Sequence, residues 1–200
     1  MNKVNYQKKL EEITGGLERR PSLLLHSCCG PCSSYCLSYL EKYFDITVLY
    51  YNPNIYPKEE YDLRLKEQRR FIDEAMNGVK LIAAPYDHSE FTEYVKGLEN
   101  EKEGGARCEK CFELRLLKTA ELAAEKGFDF FGTTLTVSPH KNAQVINSLG
   151  EKIAQEFTIA PAWLYADFKK KNGYKISIEL SQKYGLYRQN FCGCEYSKQL

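Results

Sequence analysis

Apolar positions in this chain alternate between short unbroken runs and helical spacing. SLLLHS at 22–27 is an apolar run behind Pro21 and predicts a buried strand. GPCSSYCLSYLEKYF at 30–44 turns from a loop into a helix, with Leu37, Leu40 and Phe44 at helical spacing. DITVLYYNPN at 45–54 is a second strand, closed by Asn-Pro. PKEEYDLRLKEQRRFIDEAM at 57–76 starts with a proline suited to a first helical turn, and Leu63, Leu65, Phe71 and Ile72 give it an apolar side. VKLIAAPYDH at 79–88 predicts a third strand, followed by a helix around 90–98 and the charged segment ENEKEGGAR. CEKCFELRLLKTAELAAEKG at 108–127 is a long helix with Gly127 as its cap. FDFFGTTLTVS at 128–138 is a fourth strand running into a polar loop, and 141–157 forms one or two helices. IAPAWLYADF at 159–168 predicts a fifth strand, 174–186 a further helix, and 5–16 a leading one.

Strands that alternate with helices over most of the chain imply an α/β fold with both faces of a parallel sheet covered. The crossovers are long enough for right-handed parallel units. No internal repeat, heptad or linker interrupts the pattern, so residues 1–200 are expected to form a single α/β domain.

Composition narrows the function by exclusion. The formal net charge of +1 names no partner, so any nucleic-acid surface must be a local patch. The opening MNKVNYQKKLEEI lacks the apolar core of a secretory leader. No apolar stretch approaches the roughly 18 residues of a membrane span. The expectation is a cytoplasmic protein with no membrane partner.

In such a compartment eight cysteines are informative, because ordinary thiols stay reduced there and clustered ones bind metal or do redox chemistry. Cys36, in CLSYL, reads as a buried apolar residue. The others fall into three tight groups: Cys28/Cys29/Cys32, Cys108/Cys111 and Cys192/Cys194. The first group follows the first strand, where ligands of open α/β folds gather. Cys108 and Cys111 stand three apart at a helix start and can point the same way. Gly193 between the last pair lets two thiolates approach one centre. A four-thiolate zinc site would leave CCGPC unexplained. An iron–sulfur cluster accepts thiolates from distant segments. A dithiol at Cys29/Cys32 is the third reading. Arg107 and Arg188 lie close enough in sequence to offset thiolate charge.

LLLHSCCGPCSSY, YYNPNIYPKEEYDLR, APYDHSEF, EGGARCEKCFELRL, TTLTVSPHKN and ADFKKKNGYKISIELSQKYGLYRQNFCGCEYS together strongly resemble the epoxyqueuosine reductases of the QueH type, over about residues 20 to 198. The resemblance implies a Rossmann-like sheet related to the PP-loop and nucleotide α-hydrolase folds, with the cysteine-bearing C-terminal segment folded over the site. It also implies a reaction: epoxyqueuosine at the wobble position of a tRNA anticodon loop is reduced to queuosine, using a [4Fe-4S] cluster and a second, mononuclear iron that acts on the epoxide oxygen. An external low-potential electron donor is required. On this resemblance Cys108, Cys111, Cys192 and Cys194 are expected to hold the cluster, and Cys28, Cys29 and Cys32 the second metal.

Asp87, in PYDH, is the first candidate for a carboxylate ligand or acid, with helix capping as its alternative role. Asp167 and Asp62 are weaker ones. His140 is the favoured imidazole over His26 and His88. Among tyrosines near the motifs, Tyr187 beside Arg188 is the one expected to act in catalysis. From 163 to 190 six basic side chains face only Asp167 and Glu179. Lys169, Lys170, Lys171 and Arg188, with Lys141 and Asn142, are therefore expected to contact anticodon-loop RNA. The SGGxDS loop of ATP-using relatives is replaced by HSCCGPCSS, which argues against adenylation. A zinc- or dithiol-dependent tRNA modifier and a non-catalytic tRNA-binding protein with a structural metal remain as alternatives.

Overall fold

β1 (Ser22–His26) lies at the centre of a five-stranded parallel sheet, and the computed structural model describes this sheet and its surroundings for residues 4–157 and 161–197. The other strands are β2 (Asp45–Tyr50), β3 (Lys80–Ala83), β4 (Phe130–Thr133) and β5 (Ala162–Trp163), in the order β3-β2-β1-β4-β5. The helices are α1 (Tyr6–Gly15), α2 (Gly30–Leu40), α3 (Lys58–Ala75), α4 (His88–Tyr94), α5 (Ala106–Lys126), α6 (Ala143–Gln155) and α7 (Gly173–Lys183).

The centre falls on β1 because its leucines supply two cores at once. Leu23 and Leu25 pack with Leu37, Leu40, Val48 and Phe71 on one face. Leu24 packs with Leu116, Ala120, Phe131 and Trp163 on the other. All three leucines are fully buried, each contributing about 1.5–3 kcal/mol relative to exposure. Only a strand apolar on both sides can pair with neighbours in a sheet covered by helices on both faces. Leu24 stands opposite Thr47 of β2 and Phe131 of β4.

Strand order builds outward from β1 to β2 and β3, then returns across it to β4 and β5. The loops leaving β1 and β4 therefore diverge at a topological switch point, the usual place for a ligand crevice. Ser27 N–H donates to the Leu49 carbonyl and Thr134 N–H to the His26 carbonyl, both at 2.9 Å, so the two loops start at one level.

Two expectations need correction. The fifth strand is only Ala162–Trp163, and residues 159 and 160 of the expected segment lie outside the described residues. Leu164 N–H still bonds to Phe131, but Ala166 gives both its backbone groups to the buried side chain of Asn147, at 3.1 and 2.9 Å. A side chain thus takes over the ladder. Asn147 also accepts from Trp163 Nε1, and α6 can approach that indole only because residue 150 is glycine: a Cβ there would stand 2.3 Å from the ring.

The second correction concerns α3. Its buried face is Tyr61, Arg64, Gln68, Phe71 and Ile72, while Leu63 is 40% exposed. The spacing is helical, but two members of the buried stripe are polar. Both point toward the cysteine loops.

Candidate metal centre

Three chain segments bring their cysteines to one cavity of about 420 Å³, whose wall includes Cys28, Cys32, Cys108, Cys111, Cys192 and Cys194. The first segment is the turn from β1 into α2. Cys29 is the N-cap residue of α2 in extended conformation, without a side-chain cap bond, and Pro31 occupies the first turn. The Sγ atoms of Cys28, Cys29 and Cys32 lie within 4.8 Å of one another, with Cys28 and Cys29 3.8 Å apart. Unpaired amides at a helix N-terminus favour negative charge at this place. Gln68 holds the turn: its Oε1 accepts from Ser27 Oγ at 2.7 Å and from Ser33 Oγ at 2.9 Å.

His26 closes the turn from below. It is fully buried, with Nδ1 2.9 Å from Thr133 Oγ1 and Nε2 3.1 Å from the Tyr51 carbonyl. A carbonyl only accepts, so Nε2 carries the hydrogen and Nδ1 accepts from the threonine. Burial, with the nearby charge of Arg115, pushes its pKa down to about 3. Both ring nitrogens are committed to tying β1 to its neighbours, so His26 is a neutral strut.

The second segment is the start of α5. Cys108, Cys111 and Arg115 follow at three- and four-residue steps, so they share one helix face. Gly104 N–H donates to Cys108 Sγ at 3.2 Å. Arg115 is buried and donates through Nε to the Cys111 carbonyl. It lines the cavity together with Lys141. Burial alone would lower the Lys141 pKa, but the negative charge of the nearby thiol cluster, that of Cys28 first, outweighs it and raises it.

The third segment is the C-terminal tail, and α3 straps it down. Arg70 donates to the carbonyls of Tyr184 and Gly185 at 3.0 and 3.1 Å. Glu67 accepts from Tyr187 N–H at 3.0 Å. Arg64 donates to the carbonyls of Cys192 and Phe191 at 3.0 and 3.4 Å, while its Nε binds Glu60 at 2.6 Å. These residues succeed one another at three- and four-residue steps along α3, so one helix face holds the whole approach to Cys192. Gly193 has φ +101, and a Cβ there would meet Ile55 at 3.0 Å and Arg64 at 3.1 Å. Its carbonyl accepts from Tyr56 N–H at 2.9 Å. Glycine is therefore required by both backbone conformation and close approach. Cys192 Sγ accepts from Cys194 N–H at 3.4 Å.

Crowding splits the thiols. Hydrogen bonds from Cys29 and Cys32 hold Cys28 well below the ordinary thiol range. Cys29, which donates to Cys28, is pushed up to about 12, and Cys32 well above the ordinary value. In the tail the Cys194 thiol donates to Cys192 and lowers it to about 5, and Cys194 is raised in turn. Burial raises Cys111 to about 11. The CCGPC turn and the tail thus each carry one negative charge, on Cys28 and Cys192, and ionising the raised thiols beside them calls for a cation between the groups. Two buried amide oxygens on the cavity wall, Asn54 Oδ1 and Gln189 Oε1, have no hydrogen-bond partner among the described residues, while Gln189 Nε2 donates to Cys29 Sγ at 3.0 Å.

Other expected site residues divide. His140, Lys141, Asn142 and Arg188 line the cavity. Asp87 does not: it is exposed and caps α4, accepting from Ser89 N–H at 2.9 Å and from the Ser89 hydroxyl, which lowers its pKa. Its alternative role is the one observed. Tyr187 is also outside the cavity wall, its hydroxyl 3.1 Å from Glu60, so it fastens the tail. Lys169 is a strut between Asp167 and the carbonyls of Thr136 and Lys141, and Lys171 pairs with Glu11. With Lys170, these lysines lie off the cavity wall. The surplus of charge seen in sequence is partly consumed within the fold. Arg64, Arg115, Asn54, Gln189 and Tyr174 are wall residues that sequence reasoning did not single out. Arg115 was detectable as the residue four after Cys111, and Arg64 as the partner four after Glu60.

A profile described as Epoxyqueuosine reductase QueH matches residues 23–200. The Epoxyqueuosine reductase QueH of Streptococcus pyogenes serotype M1 is 44% identical over 205 residues, covering 99% of this chain and 80% of that protein. The protein of the same name from Staphylococcus aureus is 45% identical over 204 residues, covering 98% and 84%. Among solved structures, the U34-tRNA thiolase NcsA from Methanococcus maripaludis with its [4Fe-4S] cluster superposes with a TM-score of 0.52. It covers 96% of this chain and 67% of that one at 14% identity, a likeness of fold.

Two outcomes follow from the geometry. Arg64→Ala removes charge-assisted bonds worth about 1.5–3 kcal/mol each. Hydrogen exchange of amides 190–194 in the metal-free protein should then accelerate by roughly 10–100-fold. Arg64→Lys should restore it only in part, because an ammonium cannot fork between two carbonyls. In the same metal-free, reduced protein Cys192 is a thiolate at neutral pH and loses that charge only as pH falls through about 5. Its alkylation rate by iodoacetamide should be flat from about pH 6.5 to 8, where an ordinary thiol of pKa about 8.5 gains nearly tenfold per unit. A Cys192 rate that climbs like the ordinary thiol would contradict the assignment.

Proposed function

This chain belongs to the epoxyqueuosine reductase QueH family and is an oxidoreductase of queuosine biosynthesis, and on that premise we propose that its thiol-lined cavity carries out reductive deoxygenation of epoxyqueuosine at the wobble position of a tRNA anticodon loop. The balanced change is epoxide plus two electrons and two protons to alkene plus water. The observation that carries the reading is the arrival of Cys28, Cys32, Cys108, Cys111, Cys192 and Cys194 from three segments at one cavity beside the β1/β4 switch point.

The donor set fits iron. Metal–thiolate bonds of roughly 2.3 Å at a tetrahedral angle separate sulfurs by roughly 3.8 Å. Cys28 and Cys29 have that separation, with Cys32 close by, so this triad would hold a single iron. Cys108, Cys111, Cys192 and Cys194 would hold a [4Fe-4S] cluster, in line with N–H···S bonds already directed at Cys108 and Cys192. When bound, these centres supply one-electron transfers and Lewis acidity toward the epoxide oxygen. Electrons enter from an external low-potential one-electron donor. Zinc would also satisfy the triad or the four remaining thiols, and metal analysis separates the two.

The chain's own residues have separate tasks. Arg115 and Lys141 offset thiolate charge inside the cavity and favour negative charge developing on the departing oxygen. His140, exposed on the same wall, is placed to pass a proton from solvent. Arg64 and Gln68 fix the segments that bear the cysteines.

Oxygen-protected, iron- and sulfide-loaded protein with dithionite should convert an anticodon stem-loop bearing epoxyqueuosine to queuosine, read as loss of one oxygen atom from the digested nucleoside. Serine at Cys28, Cys32, Cys108, Cys111, Cys192 or Cys194 should lower turnover beyond the roughly 10–100-fold typical of outer-shell partners. Cys36→Ser and Asp87→Asn should retain it. No oxygen loss with fully loaded wild-type protein, or equal turnover by the cavity cysteine variants, would overturn the reading.

A further inference from the structure

The cavity mouth carries an aromatic side chain that the reductive chemistry does not use. Tyr174 is 37% exposed, one of the few large hydrophobic residues left open among the described residues, alongside Val4, Tyr56 and Leu63. Of these four it alone lines the thiol cavity. Its position is fixed from behind. Gly173 starts α7 so close to Phe168 and Tyr35 that a Cβ would stand 1.9 Å from the Phe168 carbonyl oxygen and 2.4 Å from the Tyr35 ring. Tyr174 Cα is therefore held against the core while its ring faces outward.

Arg188 supplies the second half. Its Cζ lies 5.9 Å from the Tyr174 ring centroid, and Nη1 donates to the hydroxyl of buried Ser181 at 3.2 Å. Arg188 is exposed, lines the same cavity, and forms no ion pair among the described residues. His140 and Lys141 add polar, basic character to the same wall. An exposed aromatic ring with a guanidinium beside it that no carboxylate neutralises among the described residues, on the wall of this cavity, matches what unpaired RNA bases need: a stacking surface and a cation beside the phosphate chain. Double-stranded RNA hides its base faces and cannot use such a surface.

We propose that Tyr174 and Arg188 form a stacking platform for an unpaired base of the anticodon loop as it enters the cavity. The inference rests on the reading that this cavity acts on an RNA nucleotide. It moves the RNA contact from Lys169–Lys171, none of which lines the cavity, to the start of α7 and the tail. Tyr174 sets register and Arg188 holds the ring and meets phosphate.

The test uses anaerobic, metal-loaded protein and three synthetic anticodon stem-loops, each with 2-aminopurine at the wobble position or at one of its two neighbours. Wild-type protein should quench at least one probe on binding. Tyr174→Ala should abolish that quench and weaken binding by about tenfold, the scale of one lost base–aromatic stack. Tyr174→Phe should behave as wild type, since the ring and not the hydroxyl is used. Arg188→Gln should reduce both affinity and its salt dependence. Quench in Tyr174→Ala equal to wild type, or a Tyr174→Phe as weak as Tyr174→Ala, would overturn the platform. The residue is exposed, so melting temperature and iron content should not change. Failure of the proposed reaction would show separately, as absent oxygen loss by wild-type protein that still binds and quenches the probes.

Discussion

Thiols that converge on one buried space repel as thiolates, and this constraint organises the structure around the cavity. Cys28 and Cys192 each sit below the ordinary thiol range chiefly because a neighbouring cysteine donates to them, and those neighbours are raised in consequence. Six thiols on one wall with so few charges among them make a poor resting arrangement for protein alone and a good one for a cationic centre. Arg115, Lys141 and the N-terminus of α2 reduce the cost of ionisation but do not remove it. The fold must therefore hold the three segments together by other means, and most of those means lie outside the cavity.

α3 is the principal one. Its buried stripe contains Arg64 and Gln68 because the helix has two jobs: Phe71 and Ile72 join the core, while Gln68 fixes the CCGPC turn and Arg64 fixes the tail. A single rigid element thus sets the distance between two cysteine groups. α5 sets the third, carrying Cys108 and Cys111 on the face that also bears Arg115. The switch point between β1 and β4 provides the open space, and His26, neutral and doubly bonded, keeps the strand ends level.

Much of this was legible in the chain. The apolar run at 22–27, the CCGPC turn and the CEKC helix start announced strand, loop and helix, and the parallel α/β fold followed from their alternation. The cysteine groups also named the cavity. What periodicity could not show was polar burial. Leu63 has the right character for the inner face of α3 but the wrong phase, and Arg64 has the right phase. Hydropathy ranks an arginine as a surface residue, whereas here its partners are Glu60 and main-chain carbonyls 127 and 128 positions away. The lysine-rich turn shows the converse: Lys169 and Lys171 look free in sequence because Asp167 and Glu11 meet them only after folding. Tyr174 was one of 15 tyrosines until the fold placed it at the cavity.

The central claim is that these converging thiols exist to hold iron. Iron-edge X-ray absorption on protein made and kept without oxygen, with iron and acid-labile sulfide measured on the same sample, addresses it most directly. The account predicts iron surrounded chiefly by sulfur, with labile sulfide present, and loss of part of that signal when either Cys28 or Cys192 is replaced by serine. A sample without iron or labile sulfide, or iron whose sulfur shell is indifferent to both substitutions, would contradict it.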